Sequence, residues 1–201
     1  FFNKAHVLYF KKNFDDSLIY LNKALDLNNK YFECYNLKGL ILLKQNSEIL
    51  AIESFNRSIK INPNYFEGYK NLFNLYNQTN QLDNALKILD EASKNIKNNY
   101  EIHYFRSLIF EKQKKLNQAI DELNQCIEYK KDNSELFNLR GLLYTNLNKF
   151  ELAQADFNTS IKLEPKKLSA YHNMGNLLKK NNKYHDAIKF YKKSTEIDEL
   201  Y

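Results

Sequence analysis

Residues that interrupt helices are scarce in this sequence. Its 201 residues include only four glycines and two prolines. Glycine and proline destabilise helix interiors more than any other residues, and valine, which favours strands, occurs only once, as Val7. The composition therefore excludes a strand-rich fold with many turns and predicts an all-α protein.

Cysteine and long apolar runs are also rare. Cys34 and Cys126 are the only cysteines, and they lie too far apart for a disulfide framework. No apolar run approaches the ~20 residues that cross a bilayer, and no signal peptide is recognisable. We therefore expect a cytoplasmic protein that does not associate with a membrane.

The sequence has no concentrated positive charge, although its formal net charge is +6. The charge is spread along the chain, whereas a nucleic-acid module needs Lys and Arg clustered on one face. One local basic cluster is present near the C-terminus: Lys179, Lys180, Lys183, Lys192 and Lys193. We interpret it as a solvated helix surface and expect no nucleic-acid partner.

Motifs that carry catalysis or bind metals are missing as well. His6, His103, His172 and His185 are scattered, and no two of them have the spacing of a helical zinc site. There is no glycine-rich phosphate loop and no nucleophile motif. We expect no metal, no cofactor and no enzyme activity within these residues.

A repeat with a fixed period of 34 residues runs along the whole chain. Small residues recur at Ser17, Ala51, Ala85, Ala119, Ala153 and Ala187. Four positions later, large apolar residues recur at Leu21, Phe55, Leu89, Leu123, Phe157 and Tyr191. Small residues return at Ala24, Ser58, Ala92, Cys126, Ser160 and Ser194. Such a period indicates an array of supersecondary units, with boundaries at 1–31, 32–65, 66–99, 100–133, 134–167 and 168–201.

Residues 134–167 show the pattern of one unit most fully. Phe137, Gly141, Tyr144, Ala153, Phe157, Ser160 and Pro165 follow one another as aromatic, glycine, tyrosine, alanine, aromatic, small residue and proline. This pattern resembles the tetratricopeptide repeat. The resemblance implies a right-handed superhelical solenoid of six antiparallel helix pairs that binds other proteins.

The residues also predict how each pair packs. Gly39 is expected to face Ala51 and Ser58, so that two helix backbones approach closely. Phe73 stands where other repeats have glycine, alanine or serine, and its bulk is expected to push the helices of repeat three apart. Ser93 and Asn95 replace apolar residues at the end of this repeat, which makes the following junction the weakest in the array.

If the geometry of the family holds, residues of the first helices line a concave groove. The candidate partner-binding residues are Asn3, Asn36, Lys70, Asn71, Asn74, Tyr104, Phe105, Asn138, Asn173 and Asn176. Asparagine offers a donor and an acceptor to the main chain of an extended peptide, and Tyr104 and Phe105 would supply an apolar anchor. The 29 asparagines of the chain are more frequent in this groove than random placement predicts, although drift in base composition could also enrich them.

Two subtypes of the family can be compared with these positions. Asn71 and Asn173 match the asparagine ladder of superhelical members, which Leu37, Phe105 and Leu139 interrupt. Lys70 and Asn74 match the first pair of a clamp for the acidic C-termini of chaperones. The residues that would complete the clamp are replaced by Phe105, Glu135 and Leu139.

We therefore expect a protein-interaction scaffold that binds a protein or an extended peptide in its groove. One alternative is a non-catalytic arm of a larger enzyme, such as a glycosyl- or sulfo-transferase, and a less favoured one is a helical-repeat RNA binder. Apolar residues at both ends, such as Phe1 and Phe190, predict either a fragment of a longer protein or self-association through uncapped ends.

Overall fold

A computed structural model of the chain describes residues 1–198 as twelve α-helices without a strand. The helices are α1 (Phe2–Phe10), α2 (Phe14–Leu27), α3 (Phe32–Lys44), α4 (Glu48–Ile61), α5 (Phe66–Gln78), α6 (Leu82–Asn95), α7 (Tyr100–Lys112), α8 (Leu116–Tyr129), α9 (Ser134–Asn146), α10 (Phe150–Leu163), α11 (Leu168–Lys180) and α12 (Tyr184–Asp198). The predicted all-α fold of six helix pairs is confirmed.

Each odd-numbered helix packs against the helix that follows it, and the pairs belong to two compact units. The first unit is Phe1–Asn99 and contains α1 to α6; the second begins at Tyr100. Within the first unit α3 also contacts α1 and α5, so that the three first helices lie side by side. The division falls at the junction that the sequence predicts to be the weakest.

The turn inside each pair has the same backbone geometry in all six repeats. Its central residue adopts a left-handed conformation with φ between 57° and 59°: Lys12, Asn46, Asn80, Lys114, Asn148 and Asn182. The next N–H closes the turn by donating to a carbonyl five residues back, as Ser47 does to Leu42 at 2.9 Å. Asparagine tolerates this conformation better than other residues with a side chain. Four of the 29 asparagines therefore have a backbone role that the sequence analysis missed.

The recurring small and large residues form the core. Leu21, Phe55, Leu89 and Phe157 are completely buried between the helices of their pairs. Where the second helix carries an aromatic residue, the first helix carries glycine. A Cβ atom on Gly39 would lie 2.5 Å from Cε1 of Phe55, and Gly141 and Gly175 meet Phe157 and Tyr191 in the same way. The nearest side chain to Gly39 is therefore Phe55, not Ala51 or Ser58 as the sequence analysis predicts.

In repeat three the large residue stands on the first helix and the smaller one on the second helix. Phe73 is buried on the first helix, and its counterpart on the second helix is Leu89 instead of an aromatic residue. The smaller leucine makes part of the room that Phe73 needs. Helices α5 and α6 are still less closely apposed than α3 and α4. A wider axial separation of the helices in repeat three stays a prediction.

Candidate functional site

A groove of about 450 Å³ lies in the first unit, on the face formed by α1, α3 and α5. One part of its wall is apolar and consists of Tyr9, Leu40, Leu43 and Leu75. Another part is built from the amides of Asn71, Asn74 and Gln78 together with Thr79. Lys44, Asn46 and Glu48 complete its lining at the α3–α4 turn. The groove thus offers apolar contacts beside hydrogen-bonding groups, with one charge of each sign.

The amide of Asn71 is held in a fixed orientation. Its Nδ2 donates to Oδ1 of Asn36 at 2.8 Å, and Nδ2 of Asn36 donates to the hydroxyl oxygen of Tyr65 at 3.3 Å. Asn36 is buried, and burial raises the pKa of Tyr65 to about 12, so this hydroxyl stays protonated at neutral pH. Asn71 therefore keeps one N–H and its carbonyl oxygen for a ligand, at a position set by its neighbours.

The second unit repeats this pair of asparagines. Asn173 on α11 donates through Nδ2 to Oδ1 of Asn138 on α9 at 2.9 Å, and Asn138 is 3% exposed. Asn176 is exposed, and its Oδ1 accepts a hydrogen bond from the hydroxyl of Tyr191 at 2.7 Å. The two asparagines that match the ladder of the family, Asn71 and Asn173, therefore each donate to an asparagine of the preceding first helix.

The structure brings only two of the ten predicted residues, Asn71 and Asn74, into the lining of the groove. Asn3 is exposed and borders a different depression, between α1 and α2, while Lys70 is half-buried. Tyr104 packs against the core of the second unit, and Phe105 is only 8% exposed. Asn36, Asn138 and Phe105 thus have little surface to offer a ligand.

Two residues at the ends of first helices line the groove without being among the candidates predicted from the sequence. Lys44 and Gln78 are equivalent positions of α3 and α5, and both line the groove. The 34-residue period relates these two residues, so the columns of the repeat could have revealed them. Thr79 follows Gln78, and its hydroxyl donates to the carbonyl of Leu75 at 2.9 Å and accepts from Gln81 at 3.0 Å.

A charged network of the second unit links three of its helices. Arg140 donates to both carboxylate oxygens of Asp156, at 2.8 and 2.7 Å, and to Oδ1 of Asn124 at 2.7 Å. Because Asp156 is buried, the hydrogen bonds of Arg140 to Asn124 and Asp156 link α8, α9 and α10 largely away from water. The head of Arg140 is therefore paired and largely buried.

The described residues 1–198 contain two cysteines, both buried. Cys34 and Cys126 are buried thiols, and burial raises their pKa to about 11 and about 12, so neither is a thiolate at neutral pH. No group of three or more His, Cys, Asp or Glu side chains in this range is arranged to hold a metal ion. Nor does this range contain a helix that is both long and apolar enough to cross a bilayer.

Three family profiles match successive parts of the chain. The profile of anaphase promoting complex subunit 8 / Cdc23 matches residues 14–131, which is more than half of the chain. Two tetratricopeptide repeat profiles match residues 134–167 and 169–199. No curated protein sequence matches the chain.

Several solved structures share the fold at low sequence identity. MamA is 20% identical with a TM-score of 0.71, over 81% of this chain and 95% of MamA. YrrB, described as a TPR protein with an unusual peptide-binding site, is 17% identical with a TM-score of 0.69, over 88% of this chain and 91% of YrrB. The C-terminal part of a TPR repeat-containing protein from Cytophaga hutchinsonii is 15% identical with a TM-score of 0.79, over 98% and 79% of the two chains. The profiles, the helix pairs and the repeated turn agree: this chain belongs to the tetratricopeptide repeat family.

Proposed function

We propose that the chain is a protein-interaction scaffold that holds an extended segment of a partner protein in the groove of its first unit. The observation that carries the proposal is the composition of this groove. Its apolar wall can take side chains of the segment, and its amides can pair with the main chain. The fixed amide of Asn71 adds to affinity because it does not have to be ordered on binding.

Two comparisons support this kind of function. YrrB is described as having a peptide-binding site, and its structure shares the fold of this chain. The profile that matches residues 14–131 is named after a subunit of a multi-protein complex. The buried thiols of Cys34 and Cys126, which form no disulfide, fit a reducing compartment, and we propose the cytoplasm.

The proposal is tested with peptides selected from a random twelve-residue display library against the 201-residue chain. The tightest binder is labelled and titrated into the unmodified chain, Asn74→Ala and Leu43→Ala. Matched controls are Asn56→Ala and Ile19→Ala, which change exposed residues on second helices. We expect Asn74→Ala to weaken binding roughly fivefold, as one hydrogen bond is worth about 1 kcal/mol, and Leu43→Ala to weaken it at least as much.

Salt distinguishes this partner from a charged one. Lys44 and Glu48 give the lining of the groove one charge of each sign, so affinity should fall only slightly between low and high salt. An RNA or a strongly acidic tail would instead lose affinity steeply as salt is added. Steep salt dependence, or binding that ignores both Asn74 and Leu43, contradicts the proposal.

A further inference from the structure

The first turn of α4 carries two adjacent large apolar side chains in contact with water. Ile49 is 75% exposed and Leu50 is 51% exposed. The equivalent pairs in the other second helices are Asp15 and Asp16, Asp83 and Asn84, Asn117 and Gln118, Glu151 and Leu152, and His185 and Asp186. Acidic residues are favoured in the first turn by the helix dipole. The apolar pair gives up this stabilisation and gains little burial, so folding does not account for it.

The groove leads directly to this pair. Asn46 and Glu48 line the groove, and the same two residues border a shallow depression formed with Ser47, Ile49 and Leu50. This depression has a volume of about 440 Å³. An extended chain that leaves the groove over the α3–α4 turn therefore passes across Ile49 and Leu50 next.

The charged residues near Ile49 and Leu50 indicate which charge a ligand should carry. Glu48 precedes the pair, and Glu53 lies one helical turn beyond it on the same exposed surface. Asp15 is close to the same turn, because its Oδ1 accepts a hydrogen bond from Gln45 at 3.0 Å. Lys44 lies at the same turn, so three carboxylates and one ammonium group give this surface a net negative charge. Such a surface fits an apolar side chain that stands beside a basic one.

We propose that Ile49 and Leu50 anchor the part of the bound segment that emerges from the groove at the α3–α4 turn. The inference rests on the proposed function, because the occupant is the continuation of the same extended segment. That continuation presents one large apolar side chain next to a lysine or arginine. The pair then selects among segments that fill the groove equally well.

The test uses the library-selected peptides and a variant with the residues of repeat three at these positions, Ile49→Asp with Leu50→Asn. Repeat three folds with Asp83 and Asn84 there, so the variant is expected to keep the fold. The matched control is Leu152→Gln, which alters an exposed leucine at the position equivalent to Leu50 in the second unit. Peptide affinity should fall about tenfold for the double variant and stay unchanged for the control.

A variant peptide completes a double-mutant cycle with the Ile49 and Leu50 double variant. Replacing the peptide's apolar anchor by alanine should lower its affinity for the unmodified chain by the same factor and its affinity for the double variant no further.

Peptides that depend on Leu43 but not on Ile49 and Leu50 overturn this inference and leave the groove proposal standing. Peptides indifferent to both sites, or a library without binders, overturn the proposed function and this inference with it. If the double variant turns a dimer into a monomer in light scattering, the pair is a contact between copies and the inference is wrong.

Discussion

At the scale of single residues, buried serines of this chain have two different surroundings. The hydroxyls of Ser58 and Ser160 are completely buried and have no hydrogen-bond partner within the described residues. Ser17 is buried to the same degree, but its hydroxyl donates to the carbonyl of Ala5 at 2.7 Å. A buried hydroxyl without a partner has lost its hydrogen bonds to water and gained none in return.

Replacing Ser58 or Ser160 by alanine should therefore raise the free energy of unfolding by up to about 1 kcal/mol each. Alanine already occupies the position equivalent to Ser58 in repeats one and three, as Ala24 and Ala92. Ser17→Ala serves as the control and should lower the free energy of unfolding, because it removes a real hydrogen bond. Urea titration followed by circular dichroism measures all three. A loss of stability in Ser58→Ala would show that its hydroxyl does have a partner.

At the scale of the helix pair, glycine on one helix is matched by an aromatic ring on the other. Repeat two pairs Gly39 with Phe55, whereas repeat one pairs Ala5 with Leu21 at the same positions. Both arrangements fill the space between two helices, but an added methyl group on Gly39 collides with the ring of Phe55. The two positions should therefore be energetically coupled.

Gly39→Ala alone should destabilise the chain by about 1–3 kcal/mol through overpacking, despite the higher helix propensity of alanine. Phe55→Leu alone should also destabilise it, because it leaves a cavity beside glycine. The double variant recreates the pair of repeat one and should cost less than the sum of the single changes. Denaturant titration of the unmodified chain, the two single variants and the double variant gives the coupling free energy. If the losses of stability are additive, the sizes of residues 39 and 55 are not coupled.

At the scale of the whole molecule, each of the two units contains one buried cysteine. Cys34 belongs to the first unit and Cys126 to the second, and burial raises the pKa of both thiols. Only the thiolate reacts with iodoacetamide, so neither cysteine should be alkylated at neutral pH while its unit is folded.

The two cysteines therefore report the unfolding of each unit separately. We expect alkylation of Cys34 and of Cys126 to begin at different urea concentrations, since contacts of repeat arrays are local and the chain divides after Asn99. Mass spectrometry of the two cysteine peptides along a urea series measures both transitions. If the two cysteines become alkylated over the same range of urea concentrations, both in the unmodified chain and in Gly39→Ala, the two units unfold together.

The fold could be predicted from the sequence because the 34-residue period fixes which residues are buried. The columns of Ala51 and Phe55 set the helix faces, and the structure confirms them. The groove was harder to predict, because a period shows that Asn36 and Asn71 are on first helices but not that they bond to each other. Side-chain pairing of this kind depends on distances between repeats, which the sequence does not contain.

The abundance of asparagine illustrates the same difficulty. Asn46 and Asn148 hold a left-handed turn, Asn36 and Asn138 are buried bonding partners, and Asn74 is exposed in the groove. Composition adds these roles together, so an excess of asparagine does not show which asparagines hold a turn, which are buried and which line the groove. Only backbone angles and hydrogen bonds separate them.

Photo-cross-linking tests whether the first unit holds an extended segment between its first helices. A benzophenone amino acid replaces Leu43 in the groove in one protein and Ile19 on the outer part of α2 in another. Each protein is irradiated with a peptide selected from the random library. We expect the peptide to be cross-linked from position 43 and not from position 19. Cross-linking from position 19, or none from position 43 at saturating peptide, would contradict this expectation.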